Sequence, residues 1–276
     1  MSWSRDKWQE RNQKAKLCYV VIGVPHRGGL KVKKSRHHID RLESELEVTL
    51  HNRYEDENWF KGWFDFPGAD LDGTFGEAAP LIRDSDQLTI VRGEFSDRST
   101  FNYLRNSLGV VSAIVDNNAF GVFDMYGVRW WTPEQWIDSF VSQSEFRLQD
   151  HISVIVTDDE EVGPGLWMHT RGMCKVARPD LQVKHVSEAN VNNTARLINQ
   201  IGEYMASGVD ITDGQTLNPG SFARLVSFVE SPDDTAEDTP HFCNTCLEVC
   251  DYNTKTKLPT PGLSSLMEAI EKMTGV

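Results

Sequence analysis

The densest group of chemically capable side chains in this sequence lies between positions 166 and 183. Indole, imidazole, guanidinium, thiol and carboxylate groups follow one another there, carried by Trp167, His169, Arg171, Cys174, Arg178 and Asp180. A histidine beside a carboxylate can transfer protons, and a guanidinium can hold a carboxylate or a phosphate in a bidentate grip. His169, Arg171 and Asp180 are therefore the candidate catalytic residues.

The strands that carry these residues decide whether the side chains can meet. If the first part of the stretch is a β-strand, His169 and Arg171 face the same side because they are two positions apart. An antiparallel strand that begins at Asp180 would then bring Asp180 or Gln182 beside them. In the structural alternative, Arg171 and Asp180 form a salt bridge between strands and His169 binds a backbone carbonyl. The pattern favours this alternative, since ion pairs in proteins often serve structure rather than catalysis.

Four candidate metal ligands lie near the C-terminus, in the segment HFCNTCLEVC. They are His241, Cys243, Cys246 and Cys250. A CxxC pair can bind zinc because its two thiolates reach one tetrahedral centre from a tight turn. Structural zinc sites usually add a second such pair, which this chain lacks, and the spacing matches no common iron–sulfur motif. We expect no cofactor and reduced cysteines that act as small apolar side chains, with zinc as the alternative.

A basic segment with two glycines follows an apolar stretch near the N-terminus, in VIGVPHRGGLKVKKSRHH. Its cations Lys31, Lys33, Lys34 and Arg36 form the densest basic patch of the chain. A strand, a glycine loop and a helix start can together cradle a phosphate. The spacing of a P-loop or of a dinucleotide-binding motif is missing, so a solvated loop is the favoured interpretation.

Aromatic side chains form three clusters in the sequence. They are Trp59, Phe60, Trp63, Phe64 and Phe66; Trp130, Trp131 and Trp136; and Trp167. Tryptophan is enriched at binding hot spots, so these rings could line a groove for a ligand or partner. The predicted binding residues are Trp63, Trp131, Trp167, His169 and Arg171. The alternative is that the rings anchor the core and its loops.

The overall charge limits the class of partner. The chain of 276 residues carries 41 acidic and 28 basic side chains, a net charge of −13. This charge disfavours general nucleic-acid binding. It suits a protein partner that is basic, but solubility alone is the favoured explanation of the acidity. No apolar run approaches the roughly 20 residues of a membrane span, and the charged N-terminus does not resemble a secretory signal. We therefore expect a cytoplasmic protein without membrane contact.

The apolar periodicity predicts a mixture of strands and helices. Strands are predicted over 17–24, 88–95, 110–116, 151–157, 166–170, 180–186, 222–229 and 245–251, with one or two short strands within 121–131. Helices are predicted over 36–48, 97–108, 133–140, 187–207 and 263–273. Residues 50–85 are expected to form turns or a wrapping loop. The elements do not alternate strictly, which favours an α+β fold with a central, mostly antiparallel or mixed sheet and helices mainly on one side. The chain would form two halves, 1–145 and 146–276, or one continuous domain.

Two segments carry a pattern found elsewhere. The first, GVFDMYGVRWWTPEQW, has a strand, a turn and a W-x-P helix start. The second has the positions Thr170, Gly172, Met173, Pro179, Asp180, Leu181, Asp213, Gly214 and Thr216. Together they resemble the bacterial domain-of-unknown-function family 4261, in which glycine often stands where this chain has Ala177. The resemblance implies an α+β domain from a bacterium or a phage, and it implies no reaction.

These observations favour a binding protein over an enzyme. We predict a cytosolic bacterial or phage protein that sequesters a protein partner or a small ligand, as an immunity-type or anti-defence inhibitor does. The alternative is a hydrolase or metal-dependent enzyme that uses His169, Arg171 and Asp180 or the cluster from Cys243 to Cys250. No catalytic motif decides between the two classes.

Overall fold

The computed structural model describes most of the chain. The described residues are 3–23, 31–65, 69–142, 144–158, 164–218, 226–230, 244–263 and 267. The chain folds into two compact units. The first comprises Met1–Arg5, Glu10–Asp150 and Lys175–Ala177, and the second comprises Asp6–Gln9, His151–Cys174 and Arg178–Val276. The division into domains at 1–145 and 146–276 stays a prediction.

The first unit contains a five-stranded antiparallel sheet. Its strands are β1 (Lys14–Ile22), β2 (Leu46–Asn52), β3 (Gln87–Ser96), β4 (Gly121–Asp124) and β5 (Arg129–Trp131). They lie in the order β2-β3-β1-β4-β5, which makes β1 the central strand. The run LCYVVI in β1 is buried throughout, as expected for a strand covered on both faces. The strands predicted around β1 and β3 are confirmed.

Helices cover both faces of this sheet. They are α1 (Lys34–His37), α2 (Glu57–Gly62), α3 (Leu71–Phe75), α4 (Ala79–Arg83), α5 (Asn102–Val115) and α6 (Pro133–Trp136), with a π-helical turn (Ile137–Val141) after α6. Phe60 of α2 and Ile82 of α4 share one apolar core with Val20 of β1. The neighbouring Tyr19 faces the opposite side, where its ring contacts Trp136 of α6. The α+β class is confirmed, and in this unit the helices occupy two sides of the sheet.

The predicted helix over 36–48 is wrong. Helix α1 ends at His37, because His38 adopts the left-handed backbone conformation with φ 54, and β2 begins at Leu46. The apolar spacing predicted a buried helical stripe, yet Leu42 is 66% exposed. Pairing of β2 with β3 overrides the local helical pattern.

The predicted helix over 97–108 is confirmed from Asn102 onward, where α5 begins, whereas the predicted strand over 110–116 is wrong, because α5 continues to Val115. Gly109 lies inside α5. A Cβ atom at this position would collide with the carbonyl oxygen of His37 and with the side chain of Ile39. The glycine therefore allows close packing, and burial of the β-branched run outweighs its low helix propensity.

The expectation of a loop over 50–85 is wrong for most of its described residues, since three short helices form there. Asp56 caps α2 by accepting a hydrogen bond from the Trp59 amide at 3.0 Å. Asp70 caps α3 in the same way, with the Gly73 amide at 2.7 Å. Such caps stabilise helix starts that apolar periodicity alone does not reveal.

The second unit contains a seven-stranded mixed sheet. Its strands are β6 (Ser153–Thr157), β7 (Leu166–Arg171), β8 (Asp180–Val186), β9 (Thr216–Leu217), β10 (Val226–Glu230), β11 (Cys246–Asn253) and β12 (Leu258–Thr260). The order is β6-β7-β8-β11-β10-β9, β12 pairs with β11, and the parallel pair is β8 with β11. Helix α7 (Val191–Ala206) packs against β7 and β8. The strands predicted around β6, β7, β8 and β11 and the helix predicted around α7 are confirmed.

Two predicted elements fall partly outside the described residues. The strand over 222–229 is described from Val226 onward, where it forms β10, and the helix over 263–273 is described only at Leu263 and Met267. Among the helices that the structure describes, none is long and apolar enough to cross a membrane.

Candidate functional site

The chemically dense stretch at 166–183 lies mainly on β7 and β8. His169 stands opposite Gln182 across the two antiparallel strands, and Trp167 shares its face of β7. The Trp167 indole Nε1 donates a hydrogen bond to Gln182 Oε1 at 2.8 Å, and the ring centres of Trp167 and His169 are 4.4 Å apart. The predicted strand pairing is confirmed, and Gln182 is the residue opposite His169.

Asp180 ties together the ends of β7 and β8. Its Oδ1 accepts hydrogen bonds from the Thr170 hydroxyl at 2.8 Å and from the Met173 amide at 3.2 Å. Its Oδ2 accepts one from the Asn244 side-chain amide at 3.0 Å. Burial raises the pKa of Asp180 to about 6, while the hydrogen bonds oppose this rise because they stabilise the carboxylate. The donors around Asp180 make it a cross-link between backbone segments.

Arg178 closes the C-terminal end of α7. Its Nε donates to the carbonyl oxygens of Met205 at 3.2 Å and Val209 at 3.1 Å, and its Nη2 donates to that of Gly208 at 3.1 Å. The last carbonyls of a helix lack partners within the helix, and a cation there also meets the negative end of its dipole. Ala177 has φ 56, a conformation that favours glycine.

The three predicted catalytic residues lie on adjacent strands, but two of them are deeply buried. His169 and Asp180 are each only 3% exposed, whereas Arg171 at the end of β7 is half-buried. Ligand sites are concave and open to the ligand, and these two groups offer almost no surface to a substrate in this conformation.

The sequence does not predict that one lysine of the same stretch is buried. Lys175 is completely buried, and its ammonium group pairs with Asp124 of β4 in the first unit. The Tyr103 hydroxyl donates to the Lys175 carbonyl oxygen at 2.9 Å. The local sequence does not distinguish Lys175 from an exposed lysine, since its partners lie far away along the chain. A buried pair of this kind fixes structure, because either charge alone would be strongly destabilising.

Only half of the predicted metal site can be located, since His241 and Cys243 lie outside the described residues. Cys246 packs against Trp167 in a small apolar cluster. Burial raises the pKa of Cys250 to about 12, so its sulfur is a thiol at neutral pH. The described residues contain no group of three or more histidine, cysteine or acidic side chains that could hold a metal ion. Zinc binding stays a prediction.

The predicted aromatic binding residues lie in the interior. Trp131 and Trp167 are buried, and Trp63 is partly buried against the core of the first unit. Indoles in such positions act as anchors and present little surface to a partner. A binding surface therefore has to be sought among other residues.

A large cleft opens on the surface of the first unit, with a volume of about 920 Å³. The cleft is lined by residues after β1, around the start of α2, between α4 and β3, and before β4: Gly23, Asn52, Arg53, Tyr54, Glu57, Leu81, Asp84, Ser85, Asp86, Gln87 and Phe120. We call this surface the acidic cleft. Three of its apolar side chains are exposed, Tyr54 at 82%, Leu81 at 54% and Phe120 at 37%. Neighbouring exposed apolar groups of this kind mark interaction sites.

The acidic cleft also presents three carboxylates. Glu57 pairs with Lys61 one turn further along α2, at 2.8 Å. Asp84 and Asp86 are exposed, and neither forms an ion pair with any residue in the described ranges. These two carboxylates therefore keep their charge available for an outside cation.

Arg53, which also lines the cleft, is already engaged by the protein itself. Its Nε donates to the Ser85 carbonyl oxygen at 3.0 Å, and its Nη2 donates to the carbonyl oxygens of Ser85 and Arg83. Its guanidinium lies over the Phe60 ring, 4.9 Å from the ring centre. Arg53 thus anchors the segment that carries Asp84 and does not form an ion pair with it.

The sequence does not predict the acidic cleft. Most of its residues belong to the segment 50–85, which was expected to be irregular. One local signal was present, the aromatic Tyr54 followed by three acids up to Glu57. The contribution of Phe120 carried no signal, because the sheet rather than the local sequence brings it to the cleft.

Comparison with known proteins adds no relative. The chain matches no family model, no curated protein and no solved structure. The resemblance to family 4261 stays a prediction, so the function has to be argued from the geometry.

Proposed function

We propose that this chain is a cytosolic bacterial or phage binding protein, of the immunity or anti-defence type, that sequesters a basic protein partner. An arginine or lysine side chain of the partner enters the acidic cleft, with an apolar neighbour on the cleft wall. The proposal rests on one observation, the coincidence in a single cleft of exposed apolar side chains with the carboxylates of Asp84 and Asp86.

The chemistry of the cleft matches a cationic and partly apolar partner. A guanidinium stacks on aromatic faces such as those of Tyr54 and Phe120, and it forms charge-assisted hydrogen bonds with carboxylates. Burial of the apolar wall contributes roughly 25 cal/mol for each Å² removed from water. The net charge of −13 extends the attraction beyond the cleft and accelerates encounter with a basic protein.

The enzyme alternative has less support from the described residues. His169 and Asp180 are buried and offer almost no surface to a substrate. No observation favours a hydrolase or a metal-dependent enzyme over a binding protein.

The apolar wall can be tested with a defined probe, a peptide that alternates arginine and leucine. Leu81→Ser should raise the Kd for this peptide about tenfold, because a central apolar contact is replaced by a polar group. Fluorescence anisotropy of the labelled peptide measures the change. Leu42→Ser is the matched control, since Leu42 is a similarly exposed leucine of the same unit outside the cleft. Failure of the peptide to bind, or equal weakening by both substitutions, contradicts the proposal.

A further inference from the structure

We infer that the first unit also carries an anion site, which binds the phosphate group of a small phosphorylated molecule with an aromatic or apolar part. The site is a second cavity of about 270 Å³, which we call the cationic cavity. It is lined by residues from around α1, from the first turns of α5 and from the end of the π-helical turn. Its volume is close to the lower end of the range of roughly 300–1,000 Å³ found for small-molecule pockets.

Arg105 provides the strongest indication of a missing ligand. The residue lines the cavity and is only 7% exposed, yet its Nε has no hydrogen-bond partner among the residues that the structure describes. Its Nη2 pairs with Asp40, which also lines the cavity and offsets part of the positive charge. A buried donor without an acceptor is costly, and a small shift of Arg105 that brings Nε to a ligand oxygen removes that cost.

Two more side chains that can be cationic surround the cavity. Lys34 is exposed and forms no ion pair within the described part of the chain. The His38 ring is held in place because its Nε2 donates to the Val141 carbonyl oxygen at 2.9 Å. His38 also has φ 54, a conformation that is uncommon for a residue other than glycine. Arg105 and Lys34 outnumber the single carboxylate of Asp40, so the cavity carries a net positive charge without a contribution from His38.

Three hydroxyl groups complete the polar lining, those of Ser35, Ser142 and Ser144. A phosphate monoester offers three acceptor oxygens in a tetrahedral arrangement, whereas a carboxylate offers two in a plane. Several hydroxyl donors combined with several cations therefore fit a phosphate better than a carboxylate.

The aromatic residues of the cavity define the rest of the ligand. Trp3 and Phe140 line it, and the Trp3 indole Nε1 donates to the Ser144 carbonyl oxygen at 3.3 Å. Phe140 is packed against Trp131, with ring centres 5.1 Å apart. Trp3 is 6% and Phe140 8% exposed, so each ring offers only a small apolar contact to a group attached to the phosphate.

The cavity includes one lysine of the basic segment near the N-terminus. Of the cations in its basic patch, Lys34 lines the cavity, while Arg36 forms an ion pair with Asp116 at 2.6 Å. Within this segment, one lysine contributes to phosphate binding, together with an arginine from α5. Phosphate binding requires no contribution from the glycine loop.

The binding test uses the full chain labelled with ¹⁵N and titrated with phenyl phosphate, inorganic phosphate or phenol. Phenyl phosphate should shift the Trp3 indole N–H resonance in a saturable way, because the ligand packs beside this ring. Inorganic phosphate should bind more weakly, since it lacks the ring, and phenol should not bind. No saturable shift with phenyl phosphate, or an equal response to phenol, overturns the inference.

A pair of neighbouring lysines supplies the matched variants. Lys34→Ala should weaken phenyl phosphate binding about tenfold, because a charge-assisted contact is lost. Lys33→Ala removes an equally exposed charge one position away, outside the cavity lining, and should change the affinity less than about twofold. Arg105→Gln should abolish binding; if that variant does not fold, His38→Ala takes its place with an expected loss similar to that of Lys34→Ala. Equal effects of the two lysine substitutions overturn the site.

Discussion

Asp180 illustrates how surroundings decide the role of a single acidic side chain. A carboxyl group with a raised pKa in an open cleft is a candidate general acid. Here the Thr170 hydroxyl, the Met173 amide and the Asn244 side chain all donate to a carboxyl group that is almost fully enclosed. The same raised pKa therefore makes Asp180 a contributor to the pH dependence of folding stability.

The raised pKa predicts a pH-dependent loss of stability through Asp180. Its carboxyl group keeps the proton to a higher pH in the folded protein, with a pKa of about 6, than in the unfolded chain. Raising the pH from about 4 to about 7 therefore favours the unfolded state, by up to about 3 kcal/mol for this residue. Asp180→Asn removes the dependence. Urea unfolding at both pH values should show the wild type losing about 2–3 kcal/mol relative to the variant as the pH rises. A difference that does not change with pH contradicts this account.

At the scale of single residues, only part of the candidate site could be predicted from the sequence. Alternation along a strand was enough to predict that His169 and Arg171 share a face and that the strand of Asp180 and Gln182 lies beside them. Alternation does not indicate whether that face is open or covered. The burial of His169 and Asp180 depends on the whole fold, which no local pattern describes.

In helix α5, tertiary packing overrides a low local helix propensity. Its sequence contains Gly109 and a run of β-branched residues, both unfavourable within a helix. The hydroxyl groups of Ser107 and Ser112 donate hydrogen bonds to the carbonyl oxygens of Tyr103 and Leu108, at 2.8 Å each. These polar groups are therefore satisfied in the interior. The absence of a side chain at Gly109 lets α5 approach the segment that follows α1.

This close approach predicts opposite effects for two glycine substitutions. Gly109→Ala should lower the free energy of unfolding by about 1–3 kcal/mol, because the new methyl group overpacks against His37 and Ile39. Gly62→Ala in α2 is the matched control, since no atom lies within 4 Å of its Cβ position. It should be neutral or stabilising by up to about 1 kcal/mol, as expected from helix propensity alone. Urea unfolding measures both changes, and a stabilising Gly109→Ala would contradict the packing argument.

Elements were predictable where local chemistry and tertiary burial agree. The helix start at Thr132 is confirmed, because Thr132 and Gln135 form a reciprocal capping box beside Pro133. The apolar run of β1 and the stripe of α7 also agree with their surroundings. Strand β2 was not predictable, since its pairing with β3 overrides a helix-like spacing. The acidic cleft was not predictable either, because separate segments supply Tyr54, Asp84 and Phe120.

The net charge of the whole molecule adds a long-range attraction for cations to that of the acidic cleft. A net charge of −13 attracts basic partners at a distance, but salt screens exposed charges over about 8 Å at physiological ionic strength. In the proposed complex, long-range attraction therefore sets the rate of encounter, and contacts inside the cleft set the lifetime. The local and the overall contributions of charge can be separated by removing equal charge at different places.

The comparison of two double variants tests the central claim most directly. Asp84→Asn with Asp86→Asn removes two charges from the acidic cleft, and Glu134→Gln with Asp138→Asn removes two exposed charges of the same unit outside it. Each protein is titrated with the arginine–leucine peptide at one fixed ionic strength. We expect the cleft variant to raise the Kd at least about tenfold and the control to change it less than about twofold. Equal weakening by both variants would show that overall charge alone attracts the peptide and would contradict a binding site in the cleft.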